Sequence, residues 1–171
     1  LAIIQTMKHQ ELISPLDNRY NKKIIDLANN FSESNLNKTR FEIEIDWIIF
    51  LTTYGGKNFK TLSSAAKKNL LLIKNSFNDK SAKRIKSIES KTNHDVKAVE
   101  YFIKQKFEAL NLDTFKEFIH FGLTSQDINN TAIPLSTKHA VNDVYLVEIN
   151  RIINRLKKLA ADWATTSMLA R

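Results

Sequence analysis

Glycine and proline supply most of the breaks in a polypeptide backbone, and this chain of 171 residues holds only three of the first and two of the second. Such scarcity leaves long uninterrupted stretches and predicts long helices. A hydrophobic fraction of 43% fits a packed core and excludes a disordered chain. No apolar run approaches the roughly 18 residues needed to cross a bilayer, and the apolar stretch 1–4 is too short for a signal-peptide core. Cysteine is absent, which excludes disulfides and thiolate metal sites and agrees with a reducing, cytoplasmic setting. The net charge of +8 admits nucleic acid, an anionic membrane or anionic metabolites as partners. The lysines are scattered, with no interleaved aromatics for base stacking, so solvated helix faces are the plainer reading. The chain starts on Leu1 rather than a methionine and reads as processed, trimmed or a fragment.

Residues 31–54 read as one amphipathic helix, capped by Ser32 or Ser34, with Phe41, Ile45, Ile48, Ile49 and Leu51 on its apolar face and Gly55-Gly56 at its end. A second helix is expected over 63–75, with Leu70, Leu71 and Ile73 inward, and a third, basic one over 79–90. Thr92 or Asn93 then caps a helix whose apolar stripe is Val96, Val99 and Ile103. Residues 111–117 form a short linker with a helical turn. From Ser125 an apolar set including Ile128, Val141, Leu146, Ile152, Ile153 and Leu156 continues toward Trp163, and Pro134 is expected to kink or interrupt that helix near its start. A helix of this length wants a bundle or a partner subunit to cover its apolar face.

Three stretches carry chemistry. Over 117–130, apolar residues lead into Gly122 and then Thr124-Ser125-Gln126-Asp127, the form of a helix-capping box. Two hydroxyls beside unpaired N–H groups at the positive end of a helix dipole make a seat for a carboxylate or phosphate, or they simply cap the helix. At 14–20, Ser-Pro-Leu-Asp-Asn-Arg-Tyr is turn-rich and delivers Arg19, a planar fork for phosphate or carboxylate, next to Tyr20, a donor and stacking face; an exposed Arg beside a packed Tyr is the alternative. At 92–95, Asn93-His94-Asp95 sits at the start of a helix. The dipole there disfavours imidazolium and favours a neutral His94 unless Asp95 compensates; a surface His in a capping turn is the alternative. His9 and His139 read as incidental. No second histidine lies at a ligand spacing, so no metal is expected.

Taken together, Ser-Pro-Leu-Asp-Asn-Arg-Tyr (14–20), Lys-Thr-Asn-His-Asp-Val-Lys-Ala-Val-Glu-Tyr (91–101) and His-Phe-Gly-Leu-Thr-Ser-Gln-Asp-Ile-Asn-Asn (120–130) resemble the adenylosuccinate lyase family, in its bacterial subgroup with Asn-His-Asp-Val-Lys. The resemblance runs over essentially the whole chain. It implies the all-helical fumarase/aspartase fold, with a small N-terminal domain over 1–121 and the start of the central helical bundle over 122–171. It implies a homotetramer with shared active sites, no metal or organic cofactor, and no nucleic-acid or membrane partner. The implied reaction is β-elimination of fumarate from adenylosuccinate and from the succinyl-carboxamide ribotide of purine synthesis. Arg19 and Tyr20 would hold the nucleotide near its phosphate. Asn93, His94 and Asp95 would line the pocket. Thr124 and Ser125 would bind a carboxylate of the succinyl group. The family's general acid, a His in Thr-His-Gly-Gln, and its general base, a Ser in a mobile loop, would both fall beyond Arg171, so the 171 residues alone are expected to be inactive. A basic helical module that binds nucleic acid or a partner protein is the competing expectation.

Overall fold

The computed structural model describes Ser14, Leu16 and residues 19–169. The fold is all-α, with no strand among the described residues. The helices are α1 (Ile25–Phe31), α2 (Glu33–Tyr54), α3 (Ser64–Asn75), α4 (Asp79–Thr92), α5 (Asp95–Ala109), α6 (Ser125–Ala140) and α7 (Leu146–Asp162). The turn residues Pro15, Asp17 and Asn18, and His9, lie outside the described residues. The chain divides into two compact units, one of Phe31–Ser136 and one of Leu1–Asn30 with Thr137–Arg171.

In the unit Phe31–Ser136, α2 is the central element. Ser32 caps it, its hydroxyl accepting from the Asn35 N–H, and so Phe31 falls in the preceding helix. Gly55 ends it; a Cβ there would collide with the Phe59 ring and the Leu51 carbonyl. α2 is not amphipathic in the simple sense expected of it. Phe41, Ile45 and Ile48, spaced by one helical turn, are fully buried against Leu70 and Ile73 of α3, Ile85 and Ile88 of α4, and Val99, Ile103 and Phe107 of α5. Beside this stripe runs a second buried one, of Asn37, Arg40 and Glu44, which is polar. Helix α3 is capped by the Ser63 hydroxyl. It buries Ala66, Leu70 and Ile73, whereas Leu71, expected inward, is exposed because it sits a quarter-turn or more off that face.

The α4–α5 junction departs from expectation. Thr92 ends α4, and Asn93 closes it in the left-handed region at φ 51°, which Asn tolerates better than most residues. The cap of α5 is therefore His94, whose Nδ1 accepts from the Lys97 N–H at 3.2 Å. Val96, Val99 and Ile103 are buried as the spacing predicts. A 3-10 turn over Asp113–Phe118 brings Phe115 into the core.

Helix α6 runs through Pro134 without a break. The missing N–H frees the carbonyl one turn back, at Asn130, and both residues are exposed, so the lost bond is not one between buried groups. The departure from α geometry comes instead at Val141–Tyr145, a π turn, after which α7 begins. In the other unit, α7 has no buried residue, and Leu146, Val147, Ile152, Ile153 and Leu156 are exposed along it.

Candidate functional site

One side of α2 acts as a ruler. Arg40, Glu44 and Trp47 lie at helical spacing and each grips a different part of the chain. Arg40 is 5% exposed and uses all three guanidinium nitrogens. Its Nη2 pairs with Asp95 Oδ2 at 2.7 Å, its Nε donates to Asn129 Oδ1 at 2.9 Å, and its Nη1 donates to Asn37 Oδ1 at 3.4 Å. Asp95 opens α5 and Asn129 lies near the start of α6, so one buried cation ties both helix starts together. Further along α6, Asn35 donates to the Ser136 hydroxyl at 3.2 Å.

Glu44 is 0% exposed and holds His120 twice. Oε2 accepts from the backbone N–H at 3.0 Å, and Oε1 lies 2.5 Å from Nδ1. This pins residue 120 in the left-handed region, φ 60°. Burial pushes the Glu44 carboxyl above its usual range; the bonds to His120 offset this in part, and the nearby Glu100 charge adds to it. Glu100 lies 3.9 Å from His120 Nε2, and its other oxygen takes a 2.7 Å bond from Lys97. Two buried carboxylates are thus matched by His120 and Lys97 rather than left unpaired. Trp47 completes the row, its indole N–H donating to the Phe121 carbonyl at 2.9 Å. Gly122 follows at φ 70°, a backbone conformation that costs a Cβ-bearing residue, and the reversal at 120–122 delivers Thr124 and Ser125.

At Thr124 the capping box forms, with its own acid in the seat. Asp127 Oδ2 accepts from the Thr124 N–H at 2.7 Å and from its hydroxyl at 2.8 Å. These two bonds, the backbone one foremost, hold the Asp127 carboxyl below its usual range. Ser125 is half-buried in the first turn of α6. An apolar cleft of about 460 Å³, walled by Trp47, Phe50, Leu123 and Ile128, opens beside Asp127.

Of the residues singled out from sequence, Asp95 and the start of α6 are brought together, through Arg40. Asp95 is more bridge than free ligand: Oδ1 accepts from the Val96 N–H at 2.8 Å while Oδ2 holds Arg40. Burial works to raise its pKa, but the Val96 N–H and the Arg40 charge outweigh this, and the carboxyl lies below its ordinary value. His94 is exposed, and its Nδ1 is taken by the Lys97 N–H, which leaves Nε2 as the ring nitrogen without a bond to its own helix. Asn93 is exposed at the left-handed cap. Arg19 and Tyr20 belong to the other compact unit, where the guanidinium stacks 5.3 Å from the ring centroid and both are exposed. Sequence reasoning missed Arg40, Glu44 and Glu100. The signal available was their helical spacing beside an apolar stripe, which a charged residue rarely occupies without a partner. Among the described residues no cluster of His, Cys, Asp and Glu has the form of a metal site, and no helix is long and apolar enough to cross a membrane.

The chain aligns with proteins named adenylosuccinate lyase. That of Vibrio cholerae is 44% identical over 161 residues, covering 93% of this chain and 35% of the relative. That of Dictyostelium discoideum is 44% identical over 166 residues, with the same coverages of 93% and 35%. That of Escherichia coli is 40% identical over 161 residues. The chain therefore spans about a third of these relatives' length, 35%. A family model described as Lyase matches residues 18–171, nearly the whole chain, and on that match the chain belongs to the lyase family.

Proposed function

We propose that this chain is the N-terminal part of an adenylosuccinate lyase. The observation that carries the reading is identity of 40–44% to proteins of that name across 93% of the chain. Its substrates are adenylosuccinate and the succinyl-carboxamide ribotide. Its reaction removes a Cβ proton from the succinyl group, breaks the C–N bond, and returns a proton to the departing nitrogen, leaving AMP and fumarate from the first substrate. The segment's part is to bind. Arg19 and Tyr20 hold the nucleotide near its phosphate, and Asn93 and His94 line the pocket. Thr124 and Ser125 take a succinyl carboxylate. Negative charge builds on that carboxylate as the Cβ proton leaves, and fixed N–H and hydroxyl donors stabilise it without reorganisation. Because Asp127 already engages the Thr124 donors and its own N–H is bonded to the Thr124 carbonyl, Ser125 is the group that meets substrate first.

The acid and base have no counterpart among the 171 residues, so the segment alone binds without turnover. The lyase reading makes residues 1–121 the N-terminal domain and 122–171 the start of the bundle, a division along the chain that differs from the compact units of the single chain. The exposed apolar row of α7 supports assembly with other subunits. The assembly proposed is a cytoplasmic homotetramer with shared sites, without cofactor, nucleic acid or membrane, as the lyase reading implies. The competing nucleic-acid reading has less support, because Lys74, Lys86, Lys97 and Lys116 are each paired with carboxylates of this chain. The test is fumarate release from adenylosuccinate by a polypeptide that carries this segment and extends to the relatives' full length. Turnover by that polypeptide, with AMP binding but no turnover by residues 1–171, is expected. Absence of turnover in the longer polypeptide contradicts the reading, and so does turnover by the 171 residues alone.

A further inference from the structure

Arg40 lies in none of the three stretches that carry the candidate ligands, yet it is the point at which two of them meet. A buried guanidinium with one nitrogen on Asp95 of α5, one on Asn129 of α6 and one on its own helix is a rigid three-way brace. Its planar fork fixes angles as well as distances, which a lysine ammonium does not. His94 is adjacent to one braced residue, and Ser125 lies one helical turn before the other. Among the described residues the His94 ring is bonded to the Lys97 N–H of its own helix and the Thr124 donors to Asp127 of theirs, so the link between the two helix starts runs through Arg40.

We propose that Arg40 is a positioning residue of the substrate site, setting the separation between the first turns of α5 and α6 so that one undivided substrate engages both. This rests on the lyase reading for the identity of the substrate. The physical expectation is particular. A brace that sets separation matters for a ligand that spans both helix starts and hardly at all for ligands that use one of them. Misplacement of about 1 Å between groups that act together costs on the order of a hundredfold in rate.

The experiment uses the longer polypeptide with Arg40→Lys, which keeps the charge and loses the fork, and Arg40→Ala. For Arg40→Lys, the KM for adenylosuccinate is expected to rise about tenfold and kcat/KM to fall about a hundredfold. The inhibition constants of AMP and of fumarate, each measured alone, are expected to stay within about twofold. Guanidinium chloride added to Arg40→Ala is expected to restore at least about tenfold in kcat/KM where sodium chloride at equal ionic strength does not. A variant that is merely less folded loses kcat with all binding constants unchanged, and a generally distorted site weakens all three ligands together; either result overturns the proposal. If Arg40→Ala does not fold, Arg40→Lys decides. If the wild type releases no fumarate, the lyase reading fails, and amide hydrogen exchange still judges the brace. Faster exchange in Arg40→Lys at the first turns of both α5 and α6, with α3 unchanged, supports it, and unchanged exchange at either turn overturns it.

Discussion

Arg40 and Glu44 are charges taken out of water, and their partners decide what pH does to the molecule. Asp95, which pairs with Arg40, has a folded-state pKa below its ordinary 3.8. The stability it contributes is present above that value and is lost as pH falls through the folded-state pKa. Asp95→Asn is therefore expected to cost about 1–2 kcal/mol at pH 7, a figure kept small because the Asp95 side chain is half exposed. The cost should shrink toward zero in strong acid, as urea unfolding at several pH values would show. Glu44 has the opposite sign. Its folded-state pKa lies above the ordinary 4.5, so ionising it opposes folding and stability falls as pH rises through that window. Glu44→Gln is expected to become more stable relative to wild type as pH climbs from 4.5, levelling once Glu44 is ionised in the folded protein. A difference that does not change with pH would show that the pairing with His120 cancels the burial penalty. These residues were hard to read in the sequence because a charge buried beside an apolar stripe looks, in one dimension, like the polar face of an amphipathic helix. Only the third dimension brings Asp95, Asn129 and His120 to that face.

At the level of elements, the helix starts that carry Ser or Thr followed their local chemistry. Ser32 and Ser63 cap α2 and α3 as their hydroxyls suggest. Ser32→Ala is expected to cost about 1 kcal/mol, read from the midpoint of thermal unfolding. The start of α5 was misjudged for a physical reason. Asn93 is the stronger capping residue by type, but it is needed in the left-handed conformation that closes α4, and the cap passes to His94. The corner before α6 depends on Gly122. A Cβ there meets nothing within 4 Å, so Gly122→Ala is expected to cost about 1–2 kcal/mol through its φ alone. Pro134 was expected to kink or interrupt the helix near its start, and α6 continues through it, with Pro134 and Asn130, whose carbonyl loses its usual partner, both exposed. That outcome turns on exposure, which periodicity does not report.

At the level of the whole molecule, scarcity of glycine and proline was enough to read long helices, and the spacing of Phe41, Ile45, Ile48, Val96, Val99 and Ile103 was enough to read the faces that α2 and α5 give to the core, but not the share of Ile85, Ile88, Phe102 and Phe107. The apolar row on α7 was legible too, as a helix wanting a partner, and it stays exposed in the single chain. Leu156→Glu is expected to leave the fold of Phe31–Ser136 intact and to shift sedimentation of the longer polypeptide toward smaller species. If the start of α6 receives the substrate's carboxylate in a fumarate-releasing lyase, Ser125 must matter to turnover. The decisive quantity is the rate of fumarate release from adenylosuccinate by the longer polypeptide, wild type against Ser125→Ala. Turnover by the wild type and a loss in kcat of about a hundredfold or more in the variant are expected. No release by the wild type, or a variant within twofold of it, would overturn this role for the α6 start.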